Sequence, residues 1–301
     1  MKTTMKSVLG KSLVTFAMIS LGVLMSCEED KVDFSPKDSN SVENETVTES
    51  YFEDVDDMST MAVSADGSTS TGSRESGAGR SGVKPSDSRF ACATITFEFA
   101  ADNSLTTPHG YIIIDFGSSG CADAYGNVRK GMVMIEFIGK RFMANSQIVT
   151  TLMGYSINDI KIEGKRTVTN LSASLEVNPK FSIVVQGGKA TWPDGTFATR
   201  ETTRTVEWVR AVNPLNDELV VTGNATGSNR FGDTFVMEIT SPLVYKRTCV
   251  GTSGSIAVEG SKVLTVSEKE INVDYGTGTC DRMITVTIEG MSKEIEIKGK
   301  V

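Results

Sequence analysis

Five cysteines and a single histidine are the residues with the sharpest chemistry in this 301-residue chain, and their positions set one cysteine apart. Cys27 closes an apolar run that begins near Ser12, behind Lys2, Lys6 and Lys11, and the stretch Leu24-Met25-Ser26-Cys27 reads as a lipobox. A charged start, an apolar segment and a small residue before a cut are the marks of an export signal. Residues 1–26 are therefore expected to be removed, leaving Cys27 as the first residue. Its thiol can take a diacylglyceryl thioether, and the freed amine is a second point of acylation. One acyl chain binds membranes marginally at ~0.8 kcal/mol per methylene, whereas two anchor stably. A membrane-crossing helix needs about 20 apolar residues, and Lys11 and Glu28 bracket too few.

The other four, Cys92, Cys121, Cys249 and Cys280, are an even set in an exported chain, which predicts disulfides. Three pairings are open, and an internal repeat favours one. Ile112 to Cys121 reads IIIDFGSSGC and Ile271 to Cys280 reads INVDYGTGTC. The likeness continues from Met134–Gly139 to Ile284–Gly290, and again from Ile160–Lys165 to Ile295–Lys300. Each copy has one cysteine upstream, so Cys92–Cys121 and Cys249–Cys280 is the natural pairing; bridges crossing between the copies are the alternative.

Catalytic and metal chemistry is thinly represented. Asp115 and Asp274 precede glycine turns, where a carboxylate either caps backbone amides or contributes to a calcium loop. A calcium loop needs several closely spaced oxygen ligands, which neither copy supplies, so capping is the expectation; Asp123 with Asn127 is the better metal candidate of the two copies. His109, between Pro108 and Gly110, has no local triad partner. The expectation is no catalytic residue, no metal and no cofactor. A carboxylate-dependent hydrolase remains a minor alternative, because such carboxylates meet in space and leave no spacing in sequence. Trp192, beside Pro193-Asp194-Gly195, is the candidate ligand contact, able to stack on a sugar ring at a hairpin tip; Trp208, in an alternating stretch, is expected in the core. The sequons at Asn44, Asn170 and Asn224 carry little meaning behind a bacterial lipobox.

Directly behind Cys27 stand Glu28, Glu29 and Asp30. Here the chain resembles surface lipoproteins of the Bacteroidota, in which an acidic cluster after the lipidated cysteine implies delivery to the outer face of the outer membrane. The resemblance covers about the first thirty residues. It implies a location, with the membrane as a partner through Cys27, and no activity. Fimbrillin-like adhesins, matured by cleavage at an arginine, are a further relative in kind; Arg74, Arg80 and Arg89 lie where such a cut would fall.

The net charge of −8 is unevenly placed. Residues 28–89 hold 15 acidic and 6 basic side chains, so the rest of the exported chain is nearly neutral. No basic patch with interleaved aromatics suggests nucleic acid.

Residues 27–89 read as an acidic, Ser/Gly-rich, disordered linker. Within it Val47, Tyr51, Val55, Met58 and Ala62 recur at helical spacing, predicting a short amphipathic helix near 47–62. Its apolar stripe is expected to dock on the domain behind it, with Glu49, Glu53, Asp54, Asp56 and Asp57 on its other faces. From Phe90 the period becomes alternating, with strands expected at 93–99, 111–116, 132–138, 160–163, 181–185, 203–209, 218–222, 235–239, 255–258, 263–266, 271–275, 284–288 and 294–297. Short turns between them make the pairing antiparallel. The fold class is all-β: a sandwich or an extended curved antiparallel sheet over 90–301, with duplicated hairpin units at 90–165 and 249–301. The function these features imply is non-enzymatic: a lipid-anchored, disulfide-stapled β domain that binds a glycan or protein, or has a structural role, outside the cell. A carbohydrate-binding module of a nutrient-uptake system is the nearest alternative.

Overall fold

The computed structural model describes residues 36–66, 80–249 and 256–297. The expectations for Cys27, Glu28–Asp30 and Arg74 lie outside them.

Among the described residues one α-helix, α1 (Pro36–Asp66), precedes fifteen strands. They are β1 (Arg80–Ser81), β2 (Thr94–Phe99), β3 (His109–Asp115), β4 (Cys121–Ala122), β5 (Val128–Ile138), β6 (Gln147–Ile157), β7 (Ile160–Asn170) and β8 (Lys180–Thr191). The rest are β9 (Phe197–Val209), β10 (Glu218–Ser228), β11 (Thr234–Lys246), β12 (Glu259–Val266), β13 (Lys269–Thr277), β14 (Met283–Ile288) and β15 (Met291–Glu296). All belong to one antiparallel sheet in which sequence neighbours pair, except that β3 joins β5 directly and β4 pairs only β5. The sheet is unclosed, with β1 and β15 at its edges. This is the extended antiparallel sheet; the sandwich is not formed.

The hairpins explain why pairing is so local. Asn158-Asp159 and Ser267-Glu268 form two-residue turns with both central residues at positive φ, and Glu289-Gly290 does the same, the turn geometry that matches strand twist. These tight turns all lie at one end of the sheet. At the other end the connections are longer: 100–108, 139–146, 171–179 and 210–217.

Register shifts interrupt the ladders of β5 with β6, β6 with β7, β7 with β8, β8 with β9, β10 with β11, β11 with β12 and β12 with β13. Such bulges bend strands and add twist. At the first of them Gly131 (φ 77°) faces Gly154 (φ 60°), and a Cβ on Gly131 would lie 2.2 Å from the Gly154 carbonyl oxygen. Only glycine permits that approach.

The sheet turns one face to α1. Tyr51, Phe52, Val55, Met58, Ala62 and Val63 are buried in a cluster with Phe97, Ile112, Ile114, Val133, Ile135 and Phe137. Fully burying a side chain of this kind contributes about 1.5–3 kcal/mol. A second cluster, from Ala225 to Ile288, joins β10 through β14 and meets the helix at Val42. The helix is longer than its expected 47–62 because the pattern upstream is polar, and polar residues there also face the sheet: Ser41, Glu45 and Thr48 are buried. Pro36 suits a first helical position.

Both disulfides are those favoured by the repeat, Cys92–Cys121 and Cys249–Cys280, with Cα atoms 5.6 and 5.1 Å apart. In the repeat itself β2-β3-β5 answers β12-β13-β14. Asp115 pairs across to Thr94 and Met132, and Asp274 to Ser261 and Thr285. The third match is displaced: Ile160–Lys165 opens β7, two strands after β5, whereas Ile295 lies in β15, directly after β14. The strand responsible, β6, was not expected. Its sequence QIVTTLMGYSI is broken by Gly154 and lacks alternation. Conversely, residues 256–258 of the expected 255–258 strand are not extended into the sheet, and residue 255 lies outside the described residues.

Candidate functional site: an ionic wall and a cavity between helix and sheet

On β9 the residues Arg200, Thr202, Arg204, Val206 and Trp208 alternate with Glu201, Thr203, Thr205 and Glu207. A strand sends alternate side chains to one face, so the first set meets α1. Arg200 is 2% exposed and Arg204 9%. Buried cations need partners, and the helix supplies them from a second stripe at i, i+4 spacing: Glu45, Glu49 and Glu53.

Glu45 bridges two cations, 2.7 Å from Arg200 Nη1 through Oε1 and 2.9 Å from Lys262 Nζ through Oε2. Glu49 pairs with Arg204 and stands 3.5 Å from Arg200 and 3.6 Å from Lys262. Burial would raise the Glu49 carboxyl, yet Arg204, Arg200 and Lys262 hold it well below the usual carboxylate range. Burial would lower Lys262, and Glu45 outweighs it, holding the ammonium well above its ordinary value. Further along, Asp56 pairs with Arg166 of β7. Asp54 is shared between Arg129 of β5 at 3.0 Å and Arg89 at 2.9 Å. The acids expected on the other faces of the helix are thus its second means of attachment.

Beside this wall the sheet draws away from the helix and leaves a cavity of about 450 Å³. Glu53, Asp56 and Asp57 line its helical side, and Ile183, Val206, Leu219, Val221 and Tyr245 line the sheet side, with Arg166 and Arg204 at the ionic wall. Trp208 lines this cavity and also a smaller pocket of about 230 Å³, which Phe142, Leu175, Pro179 and Arg210 complete at the long-loop end. The Trp208 indole N–H donates to Asp217 Oδ2 at 2.9 Å, fixing the ring between the two spaces. Trp208, expected in the core, is half-buried and forms part of the cavity.

The other sequence candidates have structural duties. Asp115 Oδ1 and Asp274 Oδ1 each accept from the glycine amide two residues on, Gly117 and Gly276, at 2.8 Å, which is the expected capping. Asp123 accepts from the Tyr125 and Asn127 amides and from Arg129 Nη1 at 2.6 Å. Burial raises its carboxyl, and these donors outweigh that and keep it low. Trp192 is half-buried, packs against the first core cluster, and has the Arg230 guanidinium 4.2 Å from its ring centroid. Arg230 is held there by Asp194 at 2.7 Å and Thr196 at 2.9 Å. The candidate sugar platform is therefore already stacked upon. His109 sits between two carboxylates, Asp102 at 2.6 Å from Nδ1 and Glu136 at 3.0 Å from Nε2. Trp192 and His109 lie away from the cavity, and of the tryptophans only Trp208 lines it.

The cavity was not foreseen. Its signal was present in the doubled helix pattern, apolar at 51, 55, 58 and 62 and acidic at 45, 49 and 53, matched by arginines at alternating positions of one later stretch. Compared with protein-family models, curated proteins and solved structures, the chain has no match in any of the three.

Proposed function

We propose that this chain is a lipid-anchored, non-enzymatic protein of the cell envelope whose disulfide-stapled β domain binds a small ligand in the cavity between α1 and β7–β11. The cavity carries the reading: its volume falls in the range of small-molecule sites, about 300–1,000 Å³, and it sets an apolar sheet wall of Ile183, Val206, Leu219 and Val221 against a rim and helical side rich in charged groups. The lipobox at Leu24–Cys27 and the acidic Glu28–Asp30 support anchoring at Cys27 and display on the outer face of the outer membrane.

In this proposal the tether runs from Cys27 to the start of α1. Only residues 28–35 separate Cys27 from Pro36, a reach of at most about 30 Å at ~3.3–3.6 Å per residue. Asn229 Nδ2 donates to Ser41 Oγ, which places the start of α1 at the tight-turn end.

The same cavity favours a second reading, hydrolysis by paired carboxylates, since Glu53, Asp56 and Asp57 stand across from Tyr245 and Trp208. Glu53 is paired with Arg204 and Asp56 with Arg166, so the carboxylates that this reading needs are already engaged. For a fimbrillin-like maturation, Arg89 is a poor cleavage point: it lies in a 3₁₀ turn, half-buried between Asp87 and Asp54.

Protease shaving of intact cells tests the location, comparing the native protein with a variant in which Glu28, Glu29 and Asp30 are alanine. Shaving of the native domain with protection of the variant is the expected result. Protection of both would overturn surface display, and an unacylated Cys27 in the mature protein's N-terminal peptide would overturn the anchor.

A further inference from the structure

The chemistry at the mouth of the cavity narrows the class of ligand, given the cavity as the binding site proposed above. Trp208 faces two spaces. Inward lie Ile183, Val206, Leu219 and Val221, an apolar wall; outward lie Phe142 and Leu175, at the tips of the long loops. The Phe142 ring centroid is 6.5 Å from that of Trp208. An apolar track therefore runs from the loop end past one indole into the interior. Leu219 is 43% exposed and Leu175 61%, so the track is open to a ligand arriving from the long-loop end.

The charges flanking the track are mainly cationic. Arg210, Lys246 and Arg247 stand against Asp217 and Glu218. Asp217 accepts from the Trp208 indole through Oδ2 and from the Ala211 amide through Oδ1 at 2.9 Å, and its charge faces both Arg247 and Arg210. Arg210 Nη2 is turned to the backbone carbonyls of Leu175, Glu176 and Val177, neutral acceptors that hold the loop. Arg247 is exposed and makes one long contact, 3.5 Å to the Pro214 carbonyl. Deeper in, the helical side of the cavity is acidic. Of those acids, Glu49, Glu53 and Asp56 are paired with Arg166, Arg200 and Arg204, so the excess positive charge lies at the mouth, where an anionic group is attracted, whereas an alkyl chain is accepted along the wall.

We propose that the cavity takes the alkyl chain of an anionic amphiphile, a long-chain carboxylate, with its head group held at the mouth by Arg210 and Arg247. The chain enters past Trp208 and lies along Val206, Leu219 and Val221. Each methylene buried there tightens binding by about fourfold until the wall is covered, so affinity climbs with chain length and then levels. An alkylammonium of equal length meets the same wall with the wrong head group.

The test is photo-crosslinking with diazirine-bearing alkyl carboxylates of increasing length, using the full-length lipidated protein in its native membranes, followed by peptide mapping. The expected result is saturable labelling of the peptides that carry Trp208, Leu219 or Tyr245, rising with chain length. The matching methyl ester and alkylammonium probes should label at least about tenfold less at equal concentration. Arg247→Glu should reverse the head-group preference, and Leu219→Trp, at an exposed position, should block the track and abolish labelling; both variants should keep the wild-type melting transition. Labelling of these peptides irrespective of head group, or unchanged by Arg247→Glu, overturns the anionic assignment and leaves the cavity as a site for another ligand. Labelling spread over the surface, or unaffected by Leu219→Trp, overturns the track itself. None of these outcomes depends on which face of the membrane displays the domain, which shaving decides separately.

Discussion

Glu45 is 3% exposed and serves two cations at once, Arg200 and Lys262, which are themselves buried. Replacing it with glutamine keeps the shape and removes the charge that both cations need. Breaking a buried pair by removing one partner costs about 3–5 kcal/mol because the remaining charge stays buried. Urea unfolding of Glu45→Gln should show a loss of that size. Glu163→Gln, which removes the exposed partner of Lys161, should cost under about 1 kcal/mol. Equal effects would mean that the ionic wall is solvated in solution. His109 offers a pH test at the same scale. Burial lowers its pKa, but hydrogen bonds to Glu136 and Asp102 outweigh that and raise it above the ordinary 6.5. A raised pKa means the folded state binds the proton more tightly than the unfolded one. The stabilisation is therefore complete below about 6.5, the ordinary histidine value, and is lost as the pH rises through the higher folded value. An NMR titration of the imidazole should give a midpoint above 6.5 in the native protein and a lower one in Glu136→Gln; a native midpoint at or below 6.5 would refute the clamp.

At the scale of elements, the bulges decide how the sheet meets the helix. Gly131 and Gly154 face each other with positive φ, but only Gly131 has no room for a Cβ. Gly154→Ala should cost about 1–2 kcal/mol, the penalty for an L-residue in the left-handed region. Gly131→Ala must in addition push the two strands apart, so its melting temperature should fall clearly further. Similar losses would show that the ladder relaxes easily there. These glycines also mark the limit of what pattern reading could supply. Most strands were legible because one face is apolar and the other polar, as in Thr94 to Phe99 or Ile284 to Ile288. β6 was not, since a bulge shifts its alternation by a residue and its outer positions are threonine and methionine. The helix was legible by its apolar stripe alone. Its acidic stripe looked like a solvated face, because a buried carboxylate is recognisable only once its cation is placed, and Arg200 and Lys262 lie 155 and 217 residues away from Glu45. The cavity was illegible for the same reason: it exists between elements distant in sequence.

For the whole molecule, the disulfides and the helix play different roles. Each bridge joins the turn region after one strand to the approach of its neighbour, closing loops with separations of 29 and 31 residues. On the chain-entropy argument each contributes about 3–4 kcal/mol by restricting the unfolded chain. Cys92→Ser with Cys121→Ser should lower stability by about that amount and leave the sheet intact. The helix is not dispensable in this way. Without α1, the sheet would expose Phe97, Ile114, Val133 and Ile135 along one face and leave Arg129, Arg166, Arg200, Arg204 and Lys262 facing that apolar floor without their helical acids. An unclosed sheet has no second layer of its own to cover such a face. A chain trimmed to begin at Phe90, where the alternating pattern starts, should therefore fail to unfold cooperatively and should bind a hydrophobic dye. One beginning at Val32 should melt as the full chain does. If the shorter chain melted cooperatively at the same temperature, α1 would be an accessory lying on an already stable sheet. The acidic segment between Cys27 and the strands would then return to the role of a linker.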